Sequence, residues 1–520
     1  MTTQLVDRWG IHPGHLWLRG QRPEHPVQFD EEQKVWNVYG YAEALRILGE
    51  PKTFSSNTAR LFPVTLDESL GEGDMSQMDP PDHRKIRNLV SQAFTPKLVA
   101  GLEPRIEEIT RELVDAVSDQ DSMELVADVA YPLPVIVIAE MLGVPSSDRH
   151  MFKGWADKII ESLSGFAFLN DGEEGENNIN DAMAHIRPLL EYLREHANER
   201  RKRPRQDLLT HLTQAEVDGE RLTDNEVVNI ANILLITGHI TTTMLLGNTM
   251  LCLDGHPEEA ARVRADRSLV PTTIEEALRL LSPSAGISRA TSTDVELAGQ
   301  LIPKDQLLLL WLGAANRDGN QFTNPDTFDP ARDPNPHFGF GRGIHFCIGA
   351  PLARMEGRIA LNLLFDRFPT MRTDPDNPPT FFPTPDMIGV AHKTLPCGTK
   401  LKLRHGKREV TARVIDRGPY SGNREWDLTA ATKAKLGELD LHGIVEPQRP
   451  LELGGEDVAV AVKLALEEVL LHDHAPAIAG VRVRVEVDVP GEQDDPVVCC
   501  EQVQFSRQFQ QPPPAVGALK

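Results

Sequence analysis

Residues 338–349 read FGFGRGIHFCIG, and the stretch that follows at once, APLARMEGRIALNLLFDRF, repeats apolar side chains at a period near 3.6. The second segment is helix by pattern. The first resists regular structure, because each glycine gives up backbone entropy in a helix or strand. Together they put Cys347 just ahead of a helix N-terminus. Gly341, Gly343 and Gly349 let backbone approach something bulky and flat and allow turns that a side chain would forbid. A sulfur there meets unpaired amides and the positive end of the helix dipole, which favours the thiolate, the form that binds metal.

The rest of the composition narrows the setting of this loop. A formal net charge of -23 would repel phosphate over most of the surface, so nucleic acid is excluded as a general partner. The one basic run, Arg200, Arg201, Lys202, Arg203 and Arg205, reads as a solvated loop between helices. Cys252, Cys347, Cys397, Cys499 and Cys500 are odd in number and lack paired CxxC spacing, so a reducing, cytoplasmic setting is expected. MTTQLVDRWGIHPG lacks a basic stretch followed by an apolar core, and neither a secretory signal nor a membrane anchor is expected.

Residues 95–280 read as mostly helix, for example LVAGLEPRIEEITRELVDAV (98–117), and later strand-like pieces such as VELAGQLIP (295–303) interrupt the pattern. The fold class is mainly α with small peripheral β-sheets. After about Gly389 the texture changes. TKLKLRHGKREVTARVIDRG (399–418) alternates polar and apolar residues around a Gly-Lys turn, as a hairpin does. Residues 438–520 offer an amphipathic helix candidate, EDVAVAVKLALEEVLLHDH, a strand candidate, VRVRVEVDV, and a Gln/Pro-rich end expected to be disordered. The expected domains are 1–389, 390–437 and 438–520, the C-terminal extension being β-rich and then mixed α/β.

Phe340, Gly343, His345, Cys347 and Gly349 fill every position of the pattern F-x-x-G-x-H-x-C-x-G. The loop resembles the haem-binding loop of the cytochrome P450 family, the haem-thiolate monooxygenases, and the resemblance covers about residues 10–389. It implies haem b (iron protoporphyrin IX) as cofactor, Cys347 as axial iron ligand, and Phe340, Gly341 and Gly349 as loop residues against the cofactor. In EEALR, Glu276 and Arg279 stand three apart on one helical face, where carboxylate and guanidinium can meet. With FDPAR (328–332) this segment resembles the family's Glu-Arg-Arg cluster, Glu276, Arg279 and Arg332, whose role is structural.

Haem carries two propionates, which need cationic or hydrogen-bonding partners once enclosed. DPPDHRKIR (79–87), with an Asp-Pro helix start, sets His83 and Arg87 four apart on one face. That face alone reads equally as a solvated basic one. By resemblance the two are propionate ligands, joined by Arg289 and His345.

TDNEVVNIANILLITGHITTTMLLGNTMLCL (223–253) opens on a Thr223–Glu226 capping box and continues as one long helix. Asn, His and Thr along its apolar face argue against a membrane span. It resembles the family's helix above the haem, with Thr237 at the small-residue position, Gly238 at the glycine and Thr241 at the oxygen-handling threonine. The position of the family's acid is Ile240, which cannot relay a proton. Splitting dioxygen needs protons, and three accounts stand open: water relayed by Thr241 and Thr242, help from a substrate hydroxyl, or tolerance of slow protonation. GHITTT also resembles bacterial members of polyketide pathways.

The family implies substrate contacts at 56–73, 161–178, 281–287 and 380–387, whose mixture of Phe, Leu and Pro with Ser and Thr suits a bulky, mainly apolar small molecule. Without a flavin or nicotinamide fingerprint, electrons are expected from a ferredoxin and its ferredoxin reductase, docking on the cysteine side near Arg342 and Arg354. Residues 389–437 resemble the later part of a double-psi β-barrel of the rare lipoprotein A type, with His392 and Asp416 in its groove and the front third absent. The leading expectation is a haem monooxygenase of secondary metabolism. The alternatives are a haem protein without efficient turnover and cell-wall glycan binding or cleavage through the C-terminal segment.

Overall fold

The computed structural model describes residues 11–374 except 13, 32, 62–70, 119–121, 149–150, 152–153, 156–172 and 218, and beyond them 379–381, 390–391, 400–405, 408–413, 445–447 and 483–488. The chain divides into two units, Met1–Ala391 and His392–Lys520. In the first, a sheet is assembled from distant segments: β1 (Val27–Asp30), β2 (Val35–Val38), β3 (Phe54–Ser55), β4 (Ile287–Thr291) and β7 (Leu307–Leu310), in the order β1-β2-β7-β4-β3. β7 is LLLL, buried at every residue, as a central strand covered on both faces requires. It runs parallel to β2 and antiparallel to β4, and this pairing fixes Arg289 opposite Leu308. VELAGQLIP proves to be two strands, β5 (Val295–Leu297) and β6 (Gln300–Ile302), joined across Ala298 and Gly299, both at positive φ.

The helices that build the site are α1 (Tyr41–Gly49), α2 (Asp82–Ala93), α3 (Glu103–Ala116), α4 (Pro132–Met141), α5 (Glu173–Lys202), α6 (Asp224–Gly255), α7 (Val270–Leu280) and α8 (Ala350–Arg367). The expected continuous helix over 98–117 is broken. Pro96–Gly101 ends at Leu102 and α3 restarts with Pro104 in its first turn, where a residue without N–H costs no hydrogen bond. α6 keeps the capping box: Thr223 Oγ1 accepts from the Glu226 amide at 3.1 Å, and the Glu226 carboxylate accepts from the Thr223 amide at 2.7 Å. It packs against α4, α5, α7 and α8. Long and apolar enough by composition to cross a membrane, it is instead a core helix, 67% of its most apolar window being buried inside the protein.

The basic run is solvated as expected at Arg201, Lys202, Arg203 and Arg205, and departs from it at Arg200. Arg200 is fully buried on the last turns of α5, bonded to Asp207 at 2.6 Å and to the Gly143 carbonyl at 2.8 Å. Arg201 pairs with Asp224 and Arg205 with Glu199. Ion pairs inside the protein consume much of the charge that a polyanion would need.

The first unit closes with β8 (Thr380–Phe381) paired antiparallel to β9 (Val390–Ala391). In the second unit, β10 (Lys400–His405) and β11 (Arg408–Arg413) pair antiparallel with His405 opposite Arg408. β10 also pairs with β13 (Val483–Asp488), and β12 (Val445–Pro447) runs parallel to β13. His392, Asp416, the helix candidate at 456–474 and Cys397, Cys499 and Cys500 lie outside the described residues.

Candidate active site at the cysteine loop and the long helix

The loop is shaped by two of its glycines. Gly341 and Gly343 have φ of 66° and 72°, and a Cβ at Gly343 would collide with the Leu48 carbonyl at the end of α1. Gly349 departs from expectation: its φ is -81° and it begins α8 in a conformation open to any residue. The Cys347 amide donates to the Phe340 carbonyl at 2.9 Å, closing the loop on itself. The Cys347 thiol is solvent-accessible and accepts from the amides of Gly349 and Ala350. Its pKa is nevertheless raised: desolvation by the surrounding loop outweighs those amides and the nearby Arg87 and Arg354. The helix start alone therefore does not favour the thiolate.

His83, Arg87, Arg289 and His345 converge beside that sulfur. The rings of His83 and His345 lie 4.2 Å apart between centroids, and Arg87 donates to the Phe346 carbonyl at 2.5 Å. The cluster works against itself. Burial together with Arg289, His83 and Arg87 drives His345 down to about 3, and burial with Arg87 lowers His83. Burial brings Arg289 down to about 10 despite Asp79. Among the described residues, Arg87 and Arg289 have no carboxylate partner within ion-pair distance, and the buried His83 Nε2 has no hydrogen bond. Two guanidiniums and two imidazoles with one nearby carboxylate, Asp79, which none of them reaches at ion-pair distance, fit a dianionic edge, as the haem propionates present.

Some members of this cluster carried no sequence signal. Ser56 Oγ lies 2.8 Å from His345 Nε2, and the Ser56 amide donates to Asp79 at 2.8 Å. Asp79 does not cap α2 as the Asp-Pro start suggested. The N-cap is Pro81, and the Asp79 carboxylate serves Ser55 and Ser56.

Below the loop, Glu276 and Arg279 are both fully buried on α7 and form a two-bonded pair at 2.8 Å and 2.8 Å. Arg332 reaches both oxygens of Glu276 at 3.1 Å, and Asn335 and the Asp329 amide complete its shell. Arg279 then spends its remaining donors on the carbonyls of Asn316, Pro325 and Thr327. Every oxygen of the buried carboxylate is satisfied, which is the condition for such a pair to hold a fold. The expected three-residue cluster is assembled as drawn.

On α6 the threonines part company. Thr241 Oγ1, half-buried, donates to the Thr237 carbonyl at 2.6 Å, and Thr237 Oγ1 to the Ile233 carbonyl at 2.7 Å. Gly238 and Ile240 are also half-buried. Thr242 is buried and turned away, hydrogen-bonded to Glu356 of α8. Glu356 is 2% exposed, and burial carries its carboxyl up to about 8, only partly offset by Thr242, so it is protonated at neutral pH. The sequence signal for it was present in ARMEGRIAL: an acid four residues after Leu352 and three or four before Ile359 and Ala360, on a stripe that is otherwise core. Of the two cations expected near the docking partner, Arg354 is paired yet still partly exposed. Its guanidinium holds Glu275 at 2.7 Å and 2.8 Å, whereas Arg342 is exposed.

Comparison with known proteins agrees with this site. The Cytochrome P450 family model matches residues 26–397. The chain is 69% identical to the protein in the crystal structure of HmtT, involved in himastatin biosynthesis, covering 74% of this chain and 98% of that one at a TM-score of 0.69. The post-tailoring hydroxylase HmtN of the same biosynthesis gives 57% identity, 74% and 97% coverage and a TM-score of 0.67. Cyclomarin C epoxidase CymV of Salinispora arenicola is 42% identical, over 75% of this chain and 96% of its own length. The chain belongs to the cytochrome P450 family: it is a haem b monooxygenase that takes electrons from redox partners.

Proposed function

We propose that this monooxygenase hydroxylates or epoxidises a bulky, mainly apolar small molecule, a secondary metabolite such as a polyketide, as relatives named for himastatin biosynthesis and for cyclomarin C epoxidation support. Cys347 would bind the haem iron, His83, Arg87, Arg289 and His345 would hold the propionates, and Glu276, Arg279 and Arg332 fix the segment beneath. The observation that carries this assignment is the cluster of Arg87, Arg289, His83 and His345, whose two guanidiniums have no ion-pair partner among the described residues, beside a cysteine whose sulfur receives two amides. When bound, haem b supplies an iron that activates dioxygen with electrons from outside. Thr241 orders water in the distal pocket. Glu356, protonated and hydrogen-bonded to Thr242, holds the proton that an acid at Ile240 would otherwise hold. A ferredoxin, fed by ferredoxin reductase, docks on the cysteine side, with Arg342 as a contact.

The test is optical. Purified, reduced protein under carbon monoxide is expected to give the thiolate-type band, and Cys347→Ala to lose it completely. Titration with himastatin- and cyclomarin-type metabolites is expected to shift the ferric spin state. A Cys347→Ala spectrum identical to the parent would overturn the ligand assignment.

A further inference from the structure

Glu276 has a neighbour with a job of its own. Glu275, on the other side of α7, accepts from Arg354 Nε at 2.7 Å and Nη2 at 2.8 Å, and its Oε2 lies 3.1 Å from His337 Nε2. The tautomer of His337 is set by its other nitrogen, which accepts from the Gly339 amide at 3.0 Å. Nε2 therefore carries the proton and donates it to Glu275. Burial opposes the charge on Glu275, but Arg354 and His337 prevail and hold it down to about 2. Arg354 in turn lies over the Phe340 ring, 4.5 Å from its centroid, and Phe340 supplies the carbonyl that takes the Cys347 amide.

Both flanks of the cysteine loop are thus tied to one carboxylate: 337–340 through His337, and the first turn of α8 through Arg354. Gly339 completes the fit, since a Cβ there would come within 3.0 Å of His337 Nδ1 and of Leu278 Cβ. A purely structural salt bridge would not need its cation stacked on a loop aromatic.

We infer that Glu275 and Arg354 are positioning residues for the axial sulfur: Glu275 pins the loop from both sides, and Arg354 presents a neutralised cation across Phe340 to the thiolate. The inference rests on Cys347 being the axial ligand. Removing a cation near the thiolate destabilises the reduced, more negative state, and removing the anion that neutralises that cation does the opposite.

The test compares haem-loaded Arg354→Ala, Arg354→Lys, Glu275→Gln and Glu275→Ala with the parent. Arg354→Ala is expected to lower the haem reduction potential and Glu275→Gln to raise it, with Arg354→Lys near the parent. Glu275→Ala is expected to raise the ratio of thiol-type to thiolate-type carbon monoxide band roughly tenfold, the loss expected for one charge-assisted hydrogen bond. If Glu275→Ala does not load haem, Glu275→Gln, which keeps the side-chain size, and Arg354→Lys, which keeps the charge, still read the potential. Potentials that move the same way in Arg354→Ala and Glu275→Gln, or an unchanged potential and band ratio with only a lower melting temperature, overturn the inference. Absence of any thiolate band in the parent refutes the ligand assignment instead, so the two failures are distinguishable.

Discussion

On the cysteine side, Glu275, Glu276, Arg279, Arg332 and Arg354 spend their charged atoms on one another and on nearby carbonyls. The long helix opposite carries no Asp, Glu, Lys or Arg between Glu226 and Asp254, and its threonine hydroxyls bond their own helix or, at Thr242, a protonated acid. One face is fixed by charge that cannot rearrange without leaving a buried ion unpaired. The other bonds several of its threonines to its own helix, and Asn229 and Asn248 to the carbonyls of Glu72 and Leu281, with no ion to keep paired. On the proposed roles, the iron ligand sits on the fixed face and the oxygen-handling Thr241 on the other.

The sharpest way to break this contrast is Glu276→Ala. It leaves the guanidinium of Arg279 fully buried and unpaired, and is expected to destabilise the fold by about 3–5 kcal/mol, measured by denaturant melting of the holoprotein. A loss under 1 kcal/mol, the size typical of an exposed ion pair, would mean that the cysteine side is no more rigid than the surface. On the opposite helix, Glu356→Gln is expected to keep the fold and slow coupled turnover roughly 10- to 100-fold, read as product formed per electron consumed. The sign with pH follows from the raised value. Glu356 binds a proton in the native state up to about 8 and loses it near 4.5 when unfolded, so its ionisation weakens the fold as pH rises between those values. Glu356→Gln is therefore expected to flatten the decline of stability over that window, and a parallel decline in both proteins would discount the carboxyl. The smallest effect belongs to Ile240→Asp, which restores an acid on the distal helix: coupling is expected to improve about two- to threefold in the parent and more in Glu356→Gln. No improvement in either background would place the proton supply elsewhere.

The two faces also differed in how legibly they were written. Glu276, Arg279, Arg332 and the cysteine loop were readable because short-range spacing suffices: three residues along a helix, or a fixed pattern of glycines around one sulfur. Glu275 passed unremarked beside Glu276, since nothing local separates two consecutive acids until His337 and Arg354 arrive from 62 and 79 residues away. Glu356 was missed for the converse reason, an acid in a helix being read as solvated unless its stripe is counted residue by residue. Arg200 shows the same weakness: a basic run looks solvated, yet one member turns inward to Asp207 because α5 ends where the next helix begins. The threonines were grouped by sequence, but successive helical positions are about 100° apart. Thr241 and Thr242 therefore serve different neighbours.

Cys347 immediately precedes α8 and Glu356 lies less than two turns inside it, so the proposed iron ligand and the proposed acid ride on one stiff rod. Tilting or sliding that rod would disturb both tasks together. Laboratory evolution of this scaffold should therefore accept exchanges of single side chains along the rod far more readily than insertions or deletions that shift its phase.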